Sequence, residues 1–306
     1  MEFLKFLEGI RTPFFDNFFS FITHLGEETV FILVGLIFFW CISKKDGYFI
    51  LTIGFAGTVV NQFLKLWFRI PRPWIRDPDF KPIESAVPEA SGYSFPSGHT
   101  QTSVGVFGSI AWLNKNLVIR ILCIAVCLLV PLSRMYLGVH TPADVCVSFV
   151  IATAMVIFLK PVVNKAVESP KRMRIFFAVM LAISIAYLTF VLLYKFPADV
   201  DAHNLASGVK NAYKILGCIL GLWVAFEIDN RFIHFDTKAV WWAQIIKLLR
   251  GLVPILLIKS LLKEPLYELF NGSYIADAVR YFLLVVFAGG VWPFTFKYFN
   301  KIQKNK

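Results

Sequence analysis

Apolar runs of about twenty residues recur along this chain, separated by short charged ends. A helix needs about 20 mostly apolar residues to cross a bilayer. Inside hydrocarbon, only helices and closed barrels satisfy every backbone N–H and C=O. The candidate spans are 28–43, 47–67, 100–113, 117–137, 142–160, 175–195, 210–228, 244–262 and 277–296. The expected fold is therefore all-α, a polytopic transmembrane helix bundle of about nine spans. The 100–113 segment is short and comparatively polar, and is placed by its position in the series. Residues 1–25 mix phenylalanines with Glu8, Arg11 and Asp16 and read as an interfacial amphipathic helix with a break at Pro13. Only 17% of residues are charged, against about 25% in soluble domains. Pro131 and Pro293 do not cancel their helices, because membrane helices tolerate proline.

The formal net charge is +11. Nucleic acid is the usual partner of such an excess, but here the basic residues sit at the ends of apolar runs, so no nucleic-acid partner is expected. One set of ends carries Lys44 and Lys45, Lys115 and Arg120, the run from Lys160 to Arg174, Arg231 and Lys238, and the tail Lys297, Lys301, Lys304 and Lys306. The positive-inside rule assigns that set to the cytoplasm, with the N-terminus outside and the C-terminus inside. The expected setting is an integral membrane protein, of the cell membrane, with no cleavable signal peptide at its start. Cys41, Cys123, Cys127, Cys146 and Cys218 all fall in apolar stretches and read as small buried hydrophobes, not disulfides or metal ligands. The whole chain 1–306 reads as one membrane domain, with a motif-bearing core at 26–160 and additional C-terminal helices at 175–300. The segment 161–174 is the one plausible linker.

Three polar clusters interrupt the oily pattern, and charge and span counting put all three on the extracytoplasmic or lumenal face. Ionisable groups there are expensive and mark function by default. Lys65 and Arg72 lie seven residues apart, and Pro71 and Pro73 stop the helix between them and the loop. Such a pair can also be two snorkelling side chains. In Pro96-Ser97-Gly98-His99, Ser97 suits a helix cap, Gly98 allows close backbone approach, and the helix start favours an oxyanion. An ordinary loop-to-helix entry explains the same residues. Ser133-Arg134 closes a span, and His140 and Asp144 stand one turn apart around Pro142, so a carboxylate can orient one imidazole nitrogen and leave the other as nucleophile. The alternative is a capping Asp beside an interfacial His. The loop 73–95, with Asp77, Asp79, Glu84 and Glu89, reads either as a pocket cover or as a solvated loop.

The order Lys-x6-Arg-Pro, Pro-Ser-Gly-His, Ser-Arg-x5-His-x3-Asp across residues 65–144 resembles the three-part signature of the type 2 phosphatidic acid phosphatase and vanadium haloperoxidase superfamily. The resemblance implies a helical core, a covalent phosphohistidine, and phosphatase chemistry that needs no metal or other cofactor. By position, His140 resembles the nucleophile, Asp144 its orienting acid and His99 the acid for the leaving group. Lys65, Arg72 and Arg134 resemble the phosphate clamp, completed by Ser97 and the Gly98 N–H. The partner so implied is a phosphorylated lipid or isoprenoid, a mono- or diphosphate, within membrane lipid. A second resemblance is to the glucose-6-phosphatase branch: a nine-span layout, Arg-Pro-Trp at 72–74, and the stretch VKNAYKILGCILGLWVAF from Val209 to Phe226. It implies a sugar phosphate instead. An anion transporter or channel is the alternative of another class, disfavoured because the polar residues sit at span ends and no repeat is visible.

Overall fold

The computed structural model describes residues 1–299, and every regular element among them is helical. In chain order these are α1 Glu2–Gly9, α2 Pro13–Thr23, α3 Glu28–Ile37, α4 Lys44–Phe68, α5 Pro73–Arg76, α6 Gly98–Leu113 and α7 Leu117–Tyr136. Then follow α8 Pro142–Ala166, α9 Pro170–Leu193, α10 Ala202–Ile228, α11 Trp241–Leu261, α12 Lys263–Leu269 and α13 Ile275–Val286. Lys301, Lys304 and Lys306, assigned above to a cytoplasmic tail, lie outside the described residues.

Among the described residues, seven helical stretches are long and apolar enough to cross a bilayer, or eight if the bent pair Pro13–Gly26 and Glu28–Ile42 counts as one. The sequence expectation of about nine also counted 28–43 and 100–113. Helix α6 has 16 residues, about 24 Å at 1.5 Å per residue, short of a hydrocarbon core of about 30 Å. Helix α3 has ten residues, runs on through a π turn, and is bent by 52° from the stretch before it. Capping explains several boundaries. Thr12 Oγ1 accepts from Phe15 N at 3.4 Å, so Pro13 opens α2 instead of breaking a helix. Asn116 Oδ1 accepts from Val118 N and Ile119 N and opens α7.

The chain forms two compact units. The first comprises Met1–Val34, Ile50–Pro161 and Pro197–Gly208. Small residues bring its helices together. A Cβ on Gly54 of α4 would fall 2.0 Å from the Phe31 ring of α3, and one on Gly105 of α6 would fall 2.8 Å from Ile53. Val104, Cys127 and Ala152 join α6, α7 and α8. The N-terminal helices are fixed to the end of α7: Phe19 packs on Tyr136 with ring centroids 4.5 Å apart, Tyr136 Oη donates to Asp16, and Arg11 donates to the Tyr136 carbonyl. Their outer faces keep Phe14 and Phe21 exposed. The 77–97 loop is folded down by Phe80 and Tyr93, both buried, and by Ile83 N donating to Leu137 O.

The second unit comprises Gly35–Phe49, Val162–Phe196 and the chain from Val209. Trp40 Nε1 donates to Ala288 O, the buried Lys247 donates to Trp40 O, and Lys44 pairs with Asp229 at 2.6 Å. A Cβ on Gly217 would fall 2.1 Å from Ala278 O, so α10 and α13 meet backbone to backbone. All five cysteines are unpaired. Cys123, Cys127 and Cys218 are buried, whereas Cys41 is half-buried and Cys146 is exposed, on the same helix face as the exposed Val150 one turn on.

The turn from α7 to α8 depends on Gly138, whose φ is 78° and where a Cβ would lie 2.8 Å from Phe80. Gly138→Ala should cost about 1–2 kcal/mol for the left-handed backbone alone. It is expected to lower the thermal unfolding midpoint in detergent, and an unchanged midpoint would contradict this account of the turn.

Candidate active site

Arg72 stands at the break between α4 and α5, where Pro71 and Pro73 exclude continued helix. The residue is 4% exposed. It donates to Ser91 O at 2.8 Å, Gly92 O at 3.1 Å and Val139 O at 2.8 Å, and its Nη1 lies 2.9 Å from His140 Nε2. Arg72 thus ties the 77–97 loop to the α7–α8 turn. Lys65, one helical stretch earlier, donates to Ser91 O at 3.4 Å.

His140 follows α7 and Asp144 lies in the first turn of α8. Arginine can only donate, so Nε2 of His140 is the acceptor and Nδ1 carries the ring proton. Nδ1 faces Asp144 Oδ2 at 3.5 Å. That oxygen is itself fixed by Ser94 Oγ at 2.6 Å and Thr141 N at 2.8 Å. Burial, followed by the charges of Arg72, Arg134 and Lys65, holds His140 well below the ordinary histidine range. A neutral imidazole whose Nε2 lone pair faces the cations has the chemistry a nucleophile needs.

His99 lies in the first turn of α6. Ser97 caps that helix, accepting from Thr100 N at 3.4 Å and from the Thr100 hydroxyl at 3.0 Å, and its own N donates to Asp144 O. Arg134 ends α7 fully buried, with Nη1 donating to Thr23 Oγ1 at 2.7 Å.

Lys65, Arg72, Gly98, His99, Arg134 and His140 line one cavity of about 410 Å³. Asp144 stands behind His140 and Ser97 behind His99, and neither lines the cavity, so the Ser97 hydroxyl serves the helix start. Lys65, Arg72 and Arg134 are all buried, against one buried carboxylate, Asp144, in this cluster. Buried charge demands compensation. A phosphate monoester, with about −1.5 to −2 charge and three strong acceptor oxygens, supplies it. Of the four loop acids, Glu89 lines the cavity and Asp77 pairs with Lys5 at 2.8 Å.

Several participants have no local signal. Thr23 ends α2 and Gly26 lies in the turn to α3, both more than seventy residues from either histidine. A Cβ on Gly26 would lie 2.9 Å from His99 Cβ, from His99 O and from Val130. Ser94, three residues before Ser97, was open to inference as a polar neighbour of the motif, but nothing in the spacing assigned it to Asp144.

Residues 47–168 match the model of the PAP2 superfamily, and residues 213–304 that of the PAP2 superfamily phosphatase transmembrane extension. A phosphatidylglycerophosphatase B from Bacillus subtilis is 31% identical over 49% of this chain and 76% of its own length. An undecaprenyl-diphosphatase of the same organism is 34% identical over 36% of this chain and 54% of its own length. A dihydrosphingosine 1-phosphate phosphatase from Schizosaccharomyces pombe is 26% identical over 89% of this chain and 69% of its own length.

Gly26→Ala should push the α6 start, and His99 with it, out of line. A displacement near 1 Å in such a site costs about 10²-fold in rate. The expected result is a folded protein with strongly reduced kcat. Full activity would show that the Gly26 contact does not position His99.

Proposed function

Since the chain belongs to the PAP2 superfamily, we propose that it hydrolyses a phosphomonoester or diphosphate of a lipid or isoprenoid through a phosphohistidine at His140. The observation that carries the reading is three buried cations around a neutral histidine, all lining one cavity. Arg72, Arg134 and Lys65 hold the phosphoryl oxygens, with the N–H groups at the start of α6. His140 Nε2, drawn off Arg72 by the incoming phosphate, attacks phosphorus. The ester oxygen leaves with a proton from His99, which enters the step as the imidazolium, its charge favoured by the incoming phosphate anion and returning to neutral as the proton is given up. Asp144, fixed by Ser94 and Thr141, stabilises the charge that develops on the His140 ring. Water then attacks the P–N bond, with His99 taking its proton, and phosphate departs. The site faces the extracytoplasmic or lumenal side on the loop-charge argument, with the N-terminus outside and the C-terminus cytoplasmic.

For the substrate, support comes from the relatives, whose names carry lipid or isoprenoid phosphates. A lipid headgroup at the membrane border also needs no separate channel. Its tail stays in the bilayer, so affinity resides in the phosphate clamp and chain length counts for little.

His140→Ala is expected to abolish turnover. Asp144→Asn should lower it with the fold intact, and His99→Ala should slow poor leaving groups most. Vanadate should inhibit, and chelators should not. The acid limb of kcat/KM belongs to the free enzyme and should lie below the ordinary histidine range, because protonation removes the lone pair and this proton is lost early. Persistent activity of His140→Ala would end the mechanism. In mixed micelles, phosphatidate should show a higher kcat/KM than glucose 6-phosphate. The reverse order would replace the lipid by a sugar phosphate.

A further inference from the structure

The charged side chains of α1 and α2 turn inward, and the phenylalanines turn outward. Lys5 pairs with Asp77 at 2.8 Å. Glu8 accepts from Lys81 N at 3.2 Å, Arg11 donates to Lys81 O and Tyr136 O, and Asp16 accepts from Tyr136 Oη. Leu4 and Leu7 of α1, with Phe19 and Ile22 of α2, are buried. The other face of α1 holds Phe3, Phe6 and Ile10, and that of α2 holds Phe14, Phe18 and Phe21, all exposed. Their spacing keeps each set on one side of its helix. Phe6, Phe14 and Phe21 are 61%, 72% and 68% exposed, so the protein leaves most of each ring uncovered. Exposed aromatic faces of this kind mark docking surfaces.

Chain continuity identifies the occupant. Through one turn, α2 passes into α3 and an apolar stretch bent by 52° from it, so α2 lies where the chain enters the bilayer. Lys5 and Arg11 are already engaged on the protein, so the outer face offers no cation to an acidic partner. Phenylalanines on one side of a helix suit the border between headgroups and acyl chains.

The same helix reaches the cavity. Helix α2 ends at Thr23, two residues past Phe21. Thr23 Oγ1 accepts from Arg134 Nη1 at 2.7 Å, and a Cβ on Gly26 would fall 2.9 Å from His99 Cβ. The element that carries the exposed rings thus also carries the hydroxyl that aims Arg134 and leads into the backbone against which His99 rests. We propose that α1 and α2 dock by their phenylalanine faces on the lipid surface, and that this docking holds Arg134 and His99 in the geometry that receives phosphate. Thr23 is then a positioning residue. The bilayer becomes a partner that sets the site, beyond being the source of a substrate, and this second half rests on the phosphatase reading.

Two measurements separate the surface from the site. The full-length protein is placed in phosphatidylcholine vesicles that include phosphatidylcholine with a diazirine high on its acyl chain. After irradiation the lipid adducts are mapped. Adducts are expected on the peptides of α1 and α2, as on the exposed Leu117 and Ile121 of α7. Adducts on α7 with none on residues 1–23 overturn the docking, in favour of a protein partner on that face. In the second measurement, Phe6, Phe14 and Phe21 are replaced together, by serine in one variant and by leucine in another. Orthovanadate affinity is then read per folded protein in plain phosphatidylcholine vesicles. Serine should weaken it about tenfold, as loss of one hydrogen bond to a charged group would. Leucine keeps the face apolar and should leave it as in the wild type. Thr23→Val, with the outer face intact, should reproduce the serine loss. Wild-type affinity in the serine variant or in Thr23→Val overturns the coupling. Equal losses in the serine and leucine variants also overturn it, in favour of a packing role for the rings. A wild-type protein that binds no vanadate would bring down the phosphatase reading and leave the adduct map to decide the docking.

Discussion

One guanidinium organises the site. Arg72 contacts the Ser91, Gly92 and Val139 carbonyls and His140 Nε2, so a single side chain joins the end of α4, the 77–97 loop and the α7–α8 turn. Arginine suits this place because its five donors are set in a rigid plane and it stays charged when buried. The Ser91 and Gly92 carbonyls add to Phe80, Tyr93 and the Ile83–Leu137 hydrogen bond in holding the loop over the cavity. Without the loop, Arg72 would have only one direction of support. The residues proposed for catalysis are otherwise brought from helix ends far apart in sequence, and they are seated by side-chain hydrogen bonds. Asp144 is fixed by Ser94 and Thr141, Arg134 by Thr23, and the α6 start by Ser97.

The cost of this arrangement explains its chemistry. Three cations are withdrawn from water with one buried carboxylate among them. The surplus positive charge suits a phosphoryl group and grows more effective as water is excluded. Burial, and after it the same charges, hold His140 well below the ordinary histidine range, so the cations proposed to bind the phosphate also help to keep the imidazole unprotonated.

Much of this was legible in the amino-acid sequence, because chemistry that is costly in a membrane must be written in residues that stand out there. Lys65, Arg72, His99, Arg134 and His140 were separable from an apolar background, and the cavity lining unites them. Span lengths were less legible. Hydropathy alone cannot tell that α6 ends after 16 residues or that the chain bends by 52° between α2 and α3. The supporting residues were least legible of all. Thr23, Gly26 and Ser94 act through packing and hydrogen bonds to partners with no fixed sequence spacing, and Ser97 proved to face its own helix backbone.

The central claim is a covalent bond from phosphorus to His140. The direct measurement is to mix the purified protein with a substrate labelled in its phosphate, quench within one turnover into alkali, where a phosphohistidine survives, and map the labelled peptide. The account predicts label on the peptide that holds His140, none when His140 is replaced by alanine, and, for a substrate whose good leaving group departs without a proton, more label when water attack is slowed by His99→Ala. Turnover without any trapped label, or label that maps to another residue and persists without His140, would contradict it.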